Sequence, residues 1–247
     1  GPGGHASEDA LSPYLAEGFD HAPWGADVSL APLNLCEETL DGIRNHSWSR
    51  PAPATPEGEV VSWADRIAYV CHDFEDAVRS GIVSPASLPA VVRERCGDRR
   101  SQQLGTFIDS MVDAVLRTGR VGMGEAEAEA LAAFRASNYE HVYLRPSSVE
   151  QGRAVVAVLR ALVDHYSDRP HLVPGAPTEG GTSGDQGPEG DGGPAGSELN
   201  GGEPAAVRAA VAYVAGMTDR FAFGQAVALL DWDPAKLPAG VGVAARR

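Results

Sequence analysis

Residues 57–80, EGEVVSWADRIAYVCHDFEDAVRS, contain no proline and, after Gly58, no glycine. Apolar residues recur along this stretch at the spacing of one helix face, at Val61, Ala64, Ile67, Ala68, Cys71, Phe74 and Val78. Such spacing is typical of an amphipathic helix, and Gly81 follows as a stop signal. The sequence therefore predicts one long helix here.

The other side of this predicted helix carries acidic and aromatic residues. Their spacing places them on nearly the same side, and they are Asp65, Tyr69, His72, Asp73 and Asp76. A solvated acidic stripe is the ordinary explanation of such a face. A tyrosine among the acids and a wide apolar face favour burial instead, and a buried carboxylate needs a partner such as a metal ion.

The rest of the chain adds helical patterns and no persistent strand pattern, so the predicted fold class is all-α. Further helices are predicted at 6–16, 36–47, 86–95, 100–118, 125–138, 147–166 and 205–230. In the helix at 100–118, one face carries Leu104, Phe107, Ile108, Met111, Val112 and Val115.

A change of composition divides the chain. Residues 168–204 are rich in Gly, Pro, Ser and acidic residues with almost no apolar side chain, which predicts a disordered insert. The expected organisation is a helical domain at 1–167, the insert at 168–204, a C-terminal helix at 205–230 packing on the same domain, and a tail at 231–247.

Composition excludes several functional classes. The 247 residues are 43% hydrophobic, enough for a real core, and the net charge of −14 argues against general nucleic-acid binding. There is no apolar run of about 18 residues and no signal peptide pattern, so no membrane span is expected. Three cysteines without paired metal spacing suit a reducing compartment, and the expected location is the cytoplasm.

Six short segments occur together, in the same order, in one known family. They are GHASEDAL at 4–11, GFDH at 18–21, LNLCEETLDGIRNHS at 33–47, ADRIAYVCHDFEDAVRSGIV at 64–83, YEHVY at 139–143 and YVAGMTDRFA at 213–222. They resemble segments of the deoxynucleoside triphosphate triphosphohydrolases of the HD superfamily, the bacterial dGTPase-like proteins. This resemblance implies an HD-superfamily helical bundle with a metal site between its core helices.

The resemblance also implies roles for particular residues. His5 and Glu8 fall on the family's catalytic pair, and Asp65 falls on its metal-binding aspartate, with Mg²⁺ or Mn²⁺ as the metal. Tyr69 and Asp73 fall on residues that hold the sugar, and His21 falls on a substrate-binding position. The family's other metal ligands, a His and a His-Asp pair, precede the segment at 4–11. The chain that begins at Gly1 is therefore expected to be N-terminally truncated and incomplete for activity.

The implied activity is metal-dependent hydrolysis of deoxynucleoside triphosphates, with dGTP favoured, to deoxynucleoside and tripolyphosphate by a homo-oligomer. Two alternatives stay open: an HD phosphohydrolase acting on another nucleotide or phosphate ester, and a catalytically silent helical oligomer or binding module. Arg135, Tyr139, His141 and Tyr143 suit either aromatic packing between helices or substrate contact.

Overall fold

The computed structural model describes residues 6–175 and 199–238, and within those ranges it contains ten α-helices and no β-strand. The predicted all-α fold class is therefore confirmed for the described part of the chain. The helices are α1 (Ala6–Leu11), α2 (His21–Trp24), α3 (Glu37–Arg44), α4 (Pro56–Arg79), α5 (Ala90–Cys96), α6 (Arg100–Thr118), α7 (Glu125–Asn138), α8 (Pro146–Asp168), α9 (Pro204–Ala215) and α10 (Asp219–Leu230).

The chain divides into two compact units. Unit 1 comprises residues 1–21 and 151–247, and unit 2 comprises residues 22–150. His5, predicted to be catalytic, lies outside the described residues, as do residues 176–198 of the predicted disordered insert and residues 239–247 of the tail. No helix in the described ranges is both long enough and apolar enough to cross a membrane.

Helix α4 confirms the prediction made from residues 57–80. Thr55 caps its N-terminus by accepting a 3.1 Å hydrogen bond from the backbone N–H of Gly58, and Pro56 occupies the first turn, where no N–H is needed. The helix ends before Gly81, whose φ of 68° is the left-handed conformation that glycine adopts most easily. Local signals therefore fix both ends of the helix.

The core of unit 2 forms where α4, α5, α6 and α7 meet. Its buried side chains are Ile67, Val70, Cys71, Phe74, Leu88, Val92, Cys96, Phe107, Met111, Ala130, Leu131 and Phe134. The rings of Phe74 and Phe134 meet edge to face with centroids 5.4 Å apart. Buried Asn138 donates a 2.9 Å hydrogen bond to the carbonyl of Val70, so α7 is fixed to α4 by polar as well as apolar contacts.

The predicted apolar faces are not buried along their whole length. On α4, Val61 is 54% exposed and Ala64 is also exposed, so the expectation that this helix is buried on most sides is wrong for its N-terminal half. On α6, Phe107 and Met111 are buried, whereas Ile108 is 52% exposed. For Ala64 and Ile108, the physical reason is that α4 and α6 pack on each other with one edge of each apolar face and leave a groove between the other edges. Val61 lines a separate opening toward α3.

Unit 1 contains a second core, built from α1, α8, α9 and α10. Its buried side chains include Leu11, Leu159, Leu162, Tyr166, Ala210, Val214 and Phe223. The rings of Tyr166 and Tyr213 meet edge to face at 5.0 Å, and the hydroxyl of Tyr14 donates a 2.6 Å hydrogen bond to Asp164. The ring contact joins α8 to α9, and the hydrogen bond of Tyr14 holds the N-terminal segment against α8.

Three segments of unit 1 differ in detail from the sequence prediction. The helix expected at 6–16 ends at Leu11 and continues as a 3-10 turn, Ser12–Tyr14. The helix expected at 205–230 is two helices, because Thr218 caps α10 with a 3.3 Å hydrogen bond from the N–H of Phe221. The first residues of the predicted disordered insert form a 3-10 turn, Pro170–Leu172, with Pro170 and Val173 buried.

Candidate functional site

In unit 1, Glu8, Asp20 and His21 form a group that we call the carboxylate–histidine group. Glu8 lies on α1, and His21 is the first residue of α2. Nδ1 of His21 lies 2.6 Å from Oε1 of Glu8 and 3.9 Å from Oδ1 of Asp20. The backbone N–H of His21 donates to the same Glu8 oxygen at 3.2 Å. Glu8 therefore fixes both the position and the ring orientation of His21.

The carboxylate–histidine group is accessible to solutes. The side chain of His21 is 40% exposed and that of Glu8 is 32% exposed. One ligand atom from each of the three residues lies within 4.8 Å of the others, so the group could hold a metal ion. Sequence reasoning identified Glu8 and His21 but not Asp20, although Asp20 lies in the segment GFDH at 18–21.

In unit 2, helix α4 carries Asp65, Tyr69 and Asp73 on one side, as the helical spacing predicts. Asp65 is exposed, whereas Tyr69 and Asp73 are half-buried. The hydroxyl of Tyr143 donates a short hydrogen bond to Oδ2 of Asp73, and the Tyr143 ring stacks on Tyr69 with centroids 5.6 Å apart. The structure thus brings the two predicted sugar-binding residues together with Tyr143.

Tyr143 comes from a π-helical turn, Tyr139–Tyr143, that follows α7. Such wide turns frequently occur at functional sites because they redirect side chains out of the regular helix spacing. Burial, followed by the hydrogen bond to Asp73, raises the pKa of Tyr143 far above its ordinary value, and burial also raises the pKa of Tyr69. Both hydroxyls are therefore neutral hydrogen-bonding groups at physiological pH.

Unit 2 also contains two arginines held against aromatic rings. We call this set, Trp48, Trp63, Arg66, Arg135 and Tyr139, the arginine–aromatic cluster. The guanidinium carbon of Arg66 lies 5.0 Å from the Trp48 ring centroid and 5.2 Å from that of Trp63. The guanidinium carbon of Arg135 lies 4.5 Å from the Trp48 centroid and 4.9 Å from that of Tyr139. Both cations are thus within cation–π distance of the same indole.

The donors of this cluster are not fully used. Nε of Arg66 and Nε1 of Trp48 are buried and have no hydrogen-bond partner within the described ranges. Burial lowers the pKa of Arg66. The neighbouring carboxylate of Asp65 opposes this in part, and the charge of Arg135 adds a smaller lowering. Two positive charges with an unused buried donor form a place where an anion would be stabilised.

Sequence reasoning missed Arg66, Trp48 and Trp63. Arg66 directly follows Asp65 on α4, and Trp63 precedes it by one helical turn, so this pair could have been found from local spacing. Trp48 lies in the irregular segment between α3 and α4, and no local pattern indicates that it contacts Arg66 and Arg135.

Known proteins show a consistent similarity to this chain, although no protein-family model matches it. A deoxyguanosinetriphosphate triphosphohydrolase-like protein of Caldanaerobacter subterraneus subsp. tengcongensis is 30% identical over 227 residues, which cover 90% of this chain and 61% of the relative. A protein of the same description from Clostridium perfringens is 30% identical over 177 residues, 66% of this chain and 52% of the relative.

A third relative of that description, from Paracoccus denitrificans, is 25% identical over 294 residues, covering 93% of this chain and 74% of the relative. The chain spans about half to three fifths of the length of the first two relatives. These similarities agree with the six sequence segments and with the all-α fold. Over most of its length, the chain is therefore similar to deoxyguanosinetriphosphate triphosphohydrolase-like proteins.

Proposed function

We propose that this protein hydrolyses deoxynucleoside triphosphates, with dGTP favoured, to deoxynucleoside and tripolyphosphate. The observation that carries the proposal is the arginine–aromatic cluster, in which Arg66 and Arg135 share one indole and a buried Arg66 donor has no partner in the described ranges. A triphosphate offers the charge and the acceptor oxygens that such a cluster needs. The names of the relatives support this choice of substrate.

The sugar is assigned to the residues beside this cluster. Tyr139 stacks edge to face on Tyr143 with centroids 5.4 Å apart, which connects the arginines to the Tyr69–Tyr143–Asp73 contacts. In the proposal, Asp73 accepts a hydrogen bond from the 3′-hydroxyl and the Tyr69 ring occupies the space that a 2′-hydroxyl would need. A ribonucleotide would then be disfavoured by a steric clash and by an unpaired polar group.

The metal ligand in the proposal is Asp65, whose exposed carboxylate fits a hard divalent cation such as Mg²⁺ or Mn²⁺. A bound divalent ion neutralises phosphate charge and polarises the phosphorus toward attack. Arg66 and Arg135 hold the phosphate oxygens and stabilise charge that develops on them. His5 and Glu8 are assigned to proton transfer: His5 by the family resemblance alone, and Glu8 also because it is the residue that orients an imidazole, that of His21.

In the proposed reaction, a water oxygen bonds to the α-phosphorus and the bond from that phosphorus to the 5′-oxygen breaks. The 5′-oxygen takes a proton and leaves as the hydroxyl of the deoxynucleoside. The three phosphoryl groups leave together as tripolyphosphate. Release of intact tripolyphosphate, rather than of phosphate or pyrophosphate, is therefore the signature of this reaction.

The test uses the protein expressed from its whole reading frame, incubated with each deoxynucleoside and ribonucleoside triphosphate and with Mg²⁺ or Mn²⁺. Tripolyphosphate is measured by ion chromatography. We expect its release to fall at least about 10²-fold in Asp65→Asn, since a lost metal ligand removes several kcal/mol of transition-state stabilisation. The matched control is Asp113→Asn, an exposed carboxylate on α6.

Two results would overturn the proposal. Release of phosphate or pyrophosphate in place of tripolyphosphate would indicate a different phosphohydrolase. No product from any nucleotide, alone or in mixtures, would leave the silent helical module as the better interpretation.

A further inference from the structure

An open apolar groove runs between α4 and α6 in unit 2, on the edges of these helices that the core leaves uncovered. Its volume is about 440 Å³. The side chains that line it are all apolar, and the ones used below are Ala64, Ala68, Leu104, Ile108, Val112 and Leu116. This groove shares no lining residue with the arginine–aromatic cluster or with the tyrosine contacts of Asp73.

The exposure of this groove is unusual in extent. Ile108 and Val112 are each 52% exposed and Leu116 is 78% exposed, and they follow one another at four-residue steps on α6. Isolated exposed apolar residues need no explanation, but a contiguous apolar patch usually marks an interaction surface. The groove is also preformed, because Ile67 and Phe107 hold the same two helices in the core from their inner faces.

The shape of the groove indicates the kind of partner. Two packed helices with an apolar furrow between them present a surface into which the apolar face of a third helix fits. An extended peptide would need backbone hydrogen-bond partners along its length, and side chains of Ala, Val, Ile and Leu offer none. An amphipathic helix satisfies its own backbone and needs only apolar contacts.

The charges beside the groove indicate which residues should flank the apolar face of the partner helix. Exposed carboxylates lie next to the lining residues on α6, at Asp109 and Asp113. Among the basic residues of α4 and α6, Arg66 lies against Trp48, and Arg79 and Arg100 pair with Glu75, which leaves Arg117 near one end of the groove. The α6 edge of the groove is therefore predominantly acidic.

A second copy of this chain fits this edge poorly, because a chain with a net charge of −14 would place one acidic edge against another. We propose that this groove binds an amphipathic helix of a partner protein whose apolar face is flanked by lysine and arginine. The apolar furrow supplies contact area, and Asp109 and Asp113 select the basic flanks.

The test measures binding of two fluorescein-labelled helical peptides of about 18 residues, long enough to form a helix on the surface. Both have leucine at positions i, i+3, i+4 and i+7. One has lysine on its flanks and the other has glutamate at the same positions. Fluorescence anisotropy should show that the lysine peptide binds the full chain at least about tenfold more tightly, with a dissociation constant that rises with salt.

Three variants locate the binding. Leu116→Ser should weaken the lysine peptide about tenfold, since a largely exposed side chain in the groove becomes buried only on binding. Leu33→Ser, a 61% exposed leucine away from the groove, is the matched control and should leave binding unchanged. The double variant Asp109→Asn and Asp113→Asn should weaken binding and reduce its salt dependence. All of these positions are exposed, and circular dichroism checks that the variants fold.

Several outcomes would overturn the inference. Equal binding of the two peptides would show that the acidic edge selects nothing. Unchanged binding in Leu116→Ser would place the peptide elsewhere. Light scattering that shows a dimer dissolved by Leu116→Ser would assign the groove to a second copy. Hydrogen exchange that finds the outer face of α6 protected in the protein from the whole reading frame would show that the groove is covered within its own chain.

Discussion

The carboxylate–histidine group of unit 1 and the arginine–aromatic cluster of unit 2 differ in how their charges are compensated. In the first, Nδ1 of His21 lies 2.6 Å from a carboxylate oxygen of Glu8 and 3.9 Å from one of Asp20, so the ring has acceptors within its own group. In the second, two like charges share the Trp48 ring, and neither arginine has an ion pair in the described part of the chain. Rings stabilise a cation less than a carboxylate does, so the second cluster is suited to receive an anion from outside.

This difference means that, in the arginine–aromatic cluster, a substitution should change stability and activity in opposite directions. A cation that is partly buried beside another cation destabilises the free protein and stabilises an anionic complex. In the carboxylate–histidine group, an exposed carboxylate and histidine contribute little to stability, so a substitution there should change activity alone. The predictions below use this contrast, from the largest expected effect to the smallest.

Replacing the unpaired cation should produce the largest effect. In Arg66→Met we expect kcat/KM for the preferred deoxynucleoside triphosphate to fall about 10²-fold, because charge-assisted hydrogen bonds to phosphate are lost. The melting temperature of the free protein should instead rise by roughly 2–4 °C, because a desolvated charge next to Arg135 is removed. Steady-state kinetics and thermal unfolding measure the two effects on the same samples.

The control for this prediction is Arg153→Met, an exposed arginine on α8. It should change neither quantity appreciably. Added tripolyphosphate should raise the melting temperature of the wild-type protein more than that of Arg66→Met, because a ligand that binds the folded state stabilises it. A lower melting temperature in Arg66→Met without ligand would show that the arginine is already compensated, and the comparison between the two groups would fail.

Removing the negative charge that orients His21 should produce the second-largest loss of activity. In Glu8→Gln the kcat should fall about tenfold or more, because the ring of His21 loses the acceptor at 2.6 Å. The melting temperature should move by no more than about 2 °C, since exposed ion pairs contribute 0–1 kcal/mol. Asp9→Asn, the exposed carboxylate that follows Glu8, is the matched control and should leave kcat unchanged. A large loss of stability in Glu8→Gln would assign the pair to folding rather than to activity.

Helix α4 shows what the sequence could and could not predict. The period of α4, its cap at Thr55 and its stop at Gly81 are local, so the helix and the shared side of Asp65, Tyr69 and Asp73 followed from the sequence. The same period could not tell which part of the apolar face would be covered. Val61 fits the pattern as well as Phe74 does, but Val61 is 54% exposed whereas Phe74 is buried.

The arginine–aromatic cluster depends on tertiary contacts for a similar reason. Trp48, Arg66 and Arg135 come from an irregular segment and from two helices, and an arginine beside an aspartate on a helix usually pairs or faces water. Only the packing of α7 on α4 brings these residues to one indole. Asp20 was missed likewise, because its role depends on where α1 places Glu8.

A smaller effect is expected from Tyr143, which connects the proposed sugar-binding residues to the arginine–aromatic cluster. Tyr143→Phe removes the hydroxyl that donates to Asp73, which should lower the free energy of unfolding by about 1 kcal/mol. Preference for dGTP over GTP in a competition assay should fall severalfold, because the Asp73 carboxylate loses a contact that orients it. Tyr139→Phe, whose ring meets Tyr143 edge to face, keeps the ring contact and should leave the preference unchanged. An unchanged preference in Tyr143→Phe would remove Asp73 from the proposed sugar site.

The last prediction is that the number of reactive cysteines does not change in the variants described above. It concerns the buried side of α4, which supports the arginine–aromatic cluster. Cys71 and Cys96 are buried, and burial raises their thiol pKa values to about 12 and about 11, whereas Cys36 is exposed. Thiol reagents attack the thiolate, so at neutral pH one cysteine should react in the folded protein and three after denaturation. The count should be the same in Arg66→Met, Glu8→Gln and Tyr143→Phe.

The pH dependence of this reactivity has a definite sign. Because the folded-state pKa values of Cys71 and Cys96 lie above their ordinary value of 9.0, the neutral thiols favour the folded state. Their contribution is fully present below about pH 9 and is lost as the pH rises toward 11 and 12, so the two buried thiols should become reactive only in that alkaline range. Reaction of Cys71 at neutral pH in Arg66→Met would mean that the inner face of α4 has opened. The loss of activity in that variant would then result from a damaged helix. The contrast between the carboxylate–histidine group and the arginine–aromatic cluster would have to rest on Glu8→Gln alone.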